Sequence, residues 1–215
     1  ADGQPIYGPR DTPDLATMRK LGLPFWLGGA CGSPERLQEA RNQGAAGVQI
    51  GTPFALCSES GLEPELRHRL IQQALAGEAN VFTDPLASPT GFPFKIARIA
   101  GTASEEAVYL RRQRVCDLGY LRESYRQEDG SVGYRCPAEP EAAFLAKGGQ
   151  PAAMAGRKCV CNGLFANIGL GQTLADGGQE PCLVTLGDDF SGIGRFCTAE
   201  HPDYSAADVI RYVLG

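Results

Sequence analysis

The sequence predicts an α/β fold, and three observations carry the prediction. Two short apolar runs each end in glycine, a well-capped helical segment joins them, and a longer amphipathic segment follows. Together they read as a βαβ unit with a parallel strand pair, closed by a helix that belongs to a barrel or to an open sheet. At 215 residues the chain is long enough for one sizeable core. It is shorter than the roughly 250 residues of a complete eight-stranded α/β barrel.

Thr12-Pro13-Asp14 has the grammar of a helix start. Thr caps, Pro occupies the first helical position where its missing N–H is harmless, and Asp favours the positive end. This helix is expected to run to Leu21 and stop at Gly22. Leu23 to Leu27 then reads as a short buried strand, with Phe25 and Trp26, ending in Gly28-Gly29. Ser33-Pro34-Glu35 repeats the helix start, with Leu37 and Ala40 on one face and Gly44 as the stop. Ala46 to Ile50 is the second strand and closes in Gly51-Thr52. A third helix is expected over Pro64 to Ala76, where Leu66, Leu70, Ile71, Ala74 and Leu75 recur at three-to-four spacing.

After Gly77 the character changes. Phe82 to Phe94 is punctuated by Pro and Gly, yet it is too rich in aromatic residues for a disordered linker. It reads as an ordered surface excursion or as a lid facing the substrate. Lys95 to Ile99 suggests a brief strand, and Glu105 to Arg112 a short helix. From Val115 to Gly149 the pattern offers only turns and one short helix at Glu139 to Ala146. Ser205 with Asp208 forms a capping box for a terminal helix over Ala206 to Leu214.

Composition narrows the function. The net charge is -5 and charged residues, 21% of the chain, are scattered. Clustered Lys and Arg, which nucleic acids and anionic membranes require, are missing. No run of 18 apolar residues occurs, so no membrane span is expected. Residues 1–5 lack the apolar core of a signal peptide. The eight cysteines read mostly as free thiols in a reducing compartment, so a cytoplasmic location is expected.

The two glycine turns carry the chemistry. A phosphate needs several backbone N–H groups directed at one spot, best supplied where a glycine-bearing strand end meets a helix N-terminus. Gly28-Gly29-Ala30-Cys31-Gly32-Ser33-Pro34 has this form. Gln49-Ile50-Gly51-Thr52 repeats it one βα unit later, with the Thr52 hydroxyl and the Gln49 amide as added donors. In barrels, the loops after the last two strands often hold a phosphate. Glycine-ended strands before helices are also ordinary turn chemistry, and on the residues alone both readings stand. The Gly-x-Gly-x-x-Gly and Lys-bearing P-loop fingerprints are absent.

At these residues the sequence resembles the nitronate monooxygenase family, formerly called 2-nitropropane dioxygenases. Gly28-Gly29 resembles the glycine pair after that family's seventh strand. Gly47-Val48-Gln49-Ile50-Gly51-Thr52-Pro53-Phe54 resembles the segment at its eighth. Two further stretches, Phe82 to Lys95 and Lys158 to Leu164, resemble a larger subgroup with an additional C-terminal region, itself similar to the stand-alone enoyl reductases of polyunsaturated-fatty-acid and polyketide synthases. The resemblance implies the C-terminal part of a TIM (β/α)8 barrel, its last two strands and helices, over residues 1–79. An additional mainly helical and loop region, a lid or substrate-facing element, would occupy residues 80–215.

It further implies a flavin mononucleotide (FMN) cofactor, with Gly28, Gly29, Ala30, Gln49, Ile50, Gly51 and Thr52 at its phosphate. The enzyme expected is an FMN-dependent oxidoreductase that oxidises a nitronate with O2 to a carbonyl compound and nitrite. The alternative is an FMN-dependent enoyl reductase acting on carrier-bound acyl chains, with NAD(P)H as reductant. The partners expected are an N-terminal barrel portion, on the same polypeptide or a separate chain, and a small-molecule or acyl-carrier-bound substrate. The arrangement is compatible with a homo-oligomer.

No catalytic residue can be assigned. His68 lies in an amphipathic helix and His201 precedes Pro202, so both read as non-catalytic. Asp188-Asp189 reads as a solvated pair. Cys57 is close in sequence to the second turn but equally well a small buried residue. No metal site is expected: Cys159-x-Cys161 has one intervening residue, where structural zinc pairs usually have two to four, and Cys116 and Cys136 are distant in sequence.

Overall fold

The computed structural model describes residues 5–215; the signal-peptide reading of the N-terminus falls largely on residues outside this range. Along the chain the elements are α1 (Leu15–Lys20), β1 (Trp26–Leu27), α2 (Pro34–Asn42), β2 (Gly47–Val48), α3 (Thr52–Ala55), α4 (Pro64–Leu75), β3 (Val81–Asp84), β4 (Phe94–Ala97) and α5 (Glu106–Arg111). They continue with β5 (Glu123–Arg126), β6 (Val132–Arg135), α6 (Glu141–Ala146), α7 (Pro151–Met154), α8 (Cys161–Ala166) and α9 (Ala206–Leu214). The described chain forms two compact units. One joins residues 5–80 to residues 186–215, and the other is residues 81–185.

The expected barrel portion is not found. The described strands form three separate two-stranded sheets, β1-β2, β3-β4 and β5-β6, and none closes on another. The fold is mixed α/β with small open sheets and mostly helical elements. The parallel pair itself is present, with Trp26 opposite Gly47 and Leu27 opposite Val48. Each strand is only two residues long, too short to present the ladder that a closed barrel needs.

In the first unit, Phe25, Ala40 and Ala45 form a buried cluster on which Leu15, Leu27 and Val48 pack. Proline at the first helical position and Ser33 as cap set the start of α2, whose Arg36 N–H donates to Ser33 Oγ at 3.3 Å. The cap of α1 differs from expectation. Asp14, not Thr12, accepts from the amides of Ala16 and Thr17, and the helix is shorter at both ends. An aspartate oxygen reaches two orphan amides at once, which a single hydroxyl of Thr12 does not do here. Returning residues 186–215 complete this unit. Helix α9 packs on α2 and α3, and the Ile193–Arg195 turn packs on α4. Tyr204 Oη donates to the Pro53 carbonyl at 2.6 Å, and the Ser58 amide donates to the Tyr204 carbonyl at 2.9 Å.

The second unit departs further from its mainly helical expectation. Antiparallel β3 and β4 pair from Val81 opposite Ala97 to Asp84 opposite Phe94, and β5 and β6 form a hairpin. The Pro- and Gly-rich link between β3 and β4 is anchored rather than loose: Ala87 and Ser88 are buried, and Asp84 accepts from the amides of Leu86 and Ala87. The core gathers Ala87, Ile96, Ala103, Tyr109, Val160 and Leu183. Beside it Arg112 and Glu180 form a buried ion pair, their side chains 3% and 0% exposed. Arg112 also donates to the Cys159 carbonyl.

Candidate functional site

The strand register decides what meets at the glycine turns. Because Leu27 lies opposite Val48, Gly28 stands beside Gln49 at the C-terminal ends of the two strands. A Cβ on Gly28 would sit 3.6 Å from Gln49 Oε1, and one on Gly32 would sit 3.5 Å from Ile50 Cγ2. The two turns therefore lie against each other. All seven residues assigned to the phosphate from sequence belong to this pair of turns. Gly28, Gly29, Ala30, Gln49 and Gly51 are exposed, Ile50 is half-buried, and Thr52 is buried at the start of α3.

The backbone there is unusual. Gly29 has φ +92° and Ala30 has φ +52°, the one positive value of a non-glycine among the described residues. Such a conformation costs an L-residue about 1–2 kcal/mol. Among the described residues, the amides of Gly29, Ala30, Cys31, Gly32, Ile50 and Gly51 donate no hydrogen bond. A set of unpartnered amides on adjacent strand ends is what an anion requires.

Two residues that sequence patterning does not reveal bear on the flanks of this place, Gly187 at Thr52 and Arg195 at the first turn of α2. A Cβ on Gly187 would lie 2.8 Å from Thr52 Oγ1, so only a glycine lets this strand of chain pass the buried hydroxyl. Arg195 influences Glu35 in the first turn of α2. The Glu35 carboxyl is held below its usual range by the Ser33 hydroxyl first, then by its own amide, against slight desolvation, and finally by the Arg195 charge. Arg195 also stacks over Tyr212 at 5.3 Å. The signal for both lies in distant chain returning to the turns.

The remaining candidates are structural. His68 Nε2 lies 3.0 Å from Asp203 Oδ1, which also accepts from the buried Arg67 at 2.6 Å. His201 is exposed, and its carbonyl accepts from the Thr198 amide. Asp189 accepts from the amide and hydroxyl of Ser191 in a turn. The Cys57 thiol is buried, donates to the Phe54 carbonyl at 3.2 Å, and is pushed up by desolvation. None of the eight cysteines is paired in a disulfide.

Two further spaces lie away from these turns. In the first unit a groove of about 640 Å³ is lined by Pro34, Leu37, Gln38, Arg41, Val213 and Leu214. In the second a cavity of about 440 Å³ is bordered by Phe82, Asp84, Arg98, Ser104, Glu106 and Lys158, a volume within the usual small-ligand range. Among the described residues, no helix is long and apolar enough to cross a membrane.

No protein family, no curated protein and no solved structure matches the chain. The comparisons thus lend no support to a barrel oxidoreductase identity, and the open sheets overturn its barrel component.

Proposed function

We propose that the paired glycine turns hold the phosphate of FMN and that the chain serves an FMN-dependent oxidoreductase of the nitronate monooxygenase kind. The observation that carries this is the set of unpartnered amides on two adjacent parallel strand ends, beside the Thr52 hydroxyl. Gly29, Ala30, Ile50 and Gly51 would supply backbone donors, and Gly28 and Gln49 would line the site. Bound FMN supplies the redox chemistry, oxidation of an alkyl nitronate to a carbonyl compound and nitrite with O2 as final acceptor. The chain's own part is to fix the phosphate end and so the register of the cofactor. No residue of this chain is assigned to proton transfer.

The resemblance of Phe82 to Lys95 and Lys158 to Leu164 to a subgroup similar to stand-alone enoyl reductases supports a second substrate class, a carrier-bound acyl chain with NAD(P)H as reductant. The 440 Å³ cavity bordered by Phe82 and Lys158 supports a substrate-facing role for residues 81–185. The parallel pair has no further strand among the described residues, and Trp26, Leu23 and Leu21 are exposed in and before it. Parallel sheets are ordinarily covered on both faces. A complementing protein segment belongs to this proposal. The free thiols favour a reducing, cytoplasmic setting.

The test compares FMN with riboflavin, which lacks the phosphate. Trp26, the sole tryptophan of the chain, precedes the first turn by two residues and reports binding by fluorescence. FMN is expected to bind at least about tenfold tighter than riboflavin, a difference of about 1.4 kcal/mol. Gly51→Val is expected to remove that advantage. Equal affinities, or no binding of either, would reject the assignment.

A further inference from the structure

Four of the eight cysteines meet in the unit of residues 81–185. Cys116, Cys136, Cys159 and Cys161 line a single cavity of about 20 Å³, whose walls include Leu121 and Val160. That volume holds about one water-sized sphere, and so one ion. Val160, between the paired cysteines, is 1% exposed and fixed in the core cluster. Cys159 and Cys161 thus flank an anchored residue. Cys116 precedes the β5-β6 hairpin by seven residues, and Cys136 directly follows it.

Arg135 ties the hairpin to its neighbours, donating to the Lys147 carbonyl at 2.8 Å and lying over the buried Phe144 ring, but the strands bury little else. Glu123, Ser124, Arg126, Val132 and Tyr134 are all exposed, so neither face contributes much to a core. A two-stranded hairpin is marginal in water by itself. Units with a small core commonly depend on a metal or a disulfide for stability.

We propose that Cys116, Cys136, Cys159 and Cys161 bind one structural Zn²⁺ as a closed four-thiolate site, tying the base of the hairpin to the core. Zinc takes four sulfur ligands at about 2.3 Å in tetrahedral geometry. Four thiols release their protons on binding, and the metal replaces the S–H bonds with Zn–S bonds without any change of oxidation state. The described thiols do not form a finished ligand set as they stand. Closure therefore takes rotation of the cysteine side chains towards the shared cavity. Outer contacts suited to thiolates are already in place: the amides of Tyr120 and Leu121 face the Cys161 sulfur, and that of Ala138 faces Cys136. The single-residue spacing of Cys159 and Cys161, unfavourable when considered alone, is offset by the convergence of two further cysteines. The inference is independent of the flavin reading.

The experiment uses the full chain purified without added metal or chelator. Elemental analysis is expected to give one zinc per chain, and titration with a mercurial is expected to release that zinc as four thiols are consumed. Ser substitutions of Cys116, Cys136, Cys159 or Cys161 should each weaken zinc retention by about tenfold or more. Cys182→Ser, in the same unit but outside the cavity, should retain it. Where a variant fails to fold, the mercurial titration of the unaltered chain decides. Zinc well below one per chain overturns the proposal. So does stoichiometric iron with visible sulfide-to-iron absorption, or an intact mass two units lower for each disulfide formed.

Discussion

Ala30 shows how a single residue carries information about the site. Its φ of +52° costs about 1–2 kcal/mol, while a glycine there would give back about 0.5–1 kcal/mol through the freer unfolded chain. Ala30→Gly is therefore expected to stabilise the first unit by about 0.5–1 kcal/mol, measured by urea unfolding followed through Trp26. No gain in midpoint would mean the conformation is not strained. The buried Arg112-Glu180 pair carries the opposite sign. Glu180→Gln leaves a guanidinium unpaired at 3% exposure, and a loss of about 3–5 kcal/mol is expected in the unit of residues 81–185. Replacing both partners by Met and Leu should restore most of it, as read in far-ultraviolet circular dichroism melts. At this scale the sequence was legible where partners are local: Ser33 and Ser205 are caps because the acceptor and amide lie three residues apart. Arg112 and Glu180 are 68 residues apart, and no spacing rule connects them. The same distance problem hid Gly187 and Arg195 from the site.

Helices with caps and apolar faces were read to within a residue or two. The Pro64–Leu75 helix has its apolar residues at three-to-four spacing, and the Ala206–Leu214 helix has both a capping box and a buried stripe through Val209 and Val213. The β5-β6 hairpin went unread because its two faces are both mostly exposed, so no apolar alternation marks it. Its remaining signal was Asp129-Gly130, with Gly130 at φ +84° in the connecting turn. The terminal helix makes a pH prediction. Asp208 is depressed to about 2, first by the Ser205 amide, then by the Ser205 hydroxyl and Arg211. A carboxyl lowered on folding contributes stability above its ordinary value of 3.8 and loses it as the folded group protonates near 2. Between pH 4 and pH 2 the unaltered chain should therefore lose more stability than Asp208→Asn, with the difference confined to that window. Equal slopes would remove Asp208 from the cap. At neutral pH, Ser205→Ala should cost about 1 kcal/mol.

The unit that holds the glycine turns is assembled from both ends of the described chain, and this has a consequence for the site. Every residue assigned to the phosphate lies between Gly28 and Thr52, so a local reading makes residues 5–80 look sufficient. The core says otherwise. Ile193, Tyr204, Val209 and Val213 are all under 7% exposed, and they arrive only with residues 186–215. Burying four such side chains contributes about 6–12 kcal/mol, as much as the whole stability of an ordinary domain. Tyr204 additionally occupies the Pro53 carbonyl and the Ser58 amide, the two backbone groups that follow the second turn. A chain ending at Thr185 keeps every candidate ligand-binding residue but removes the packing of α9 on α3 and of the Ile193–Arg195 turn on α4. It is expected to lose the fold of this unit: Trp26, already 58% exposed, should become fully accessible to iodide, and the proposed preference for FMN over riboflavin should vanish. Adding residues 186–215 as a separate peptide should recover part of both signals, because the contacts α9 makes with α2 and α3 need no covalent link. If the truncated chain binds FMN as the full chain does, the turns are self-sufficient and the assignment of residues 186–215 to this unit carries no energetic weight.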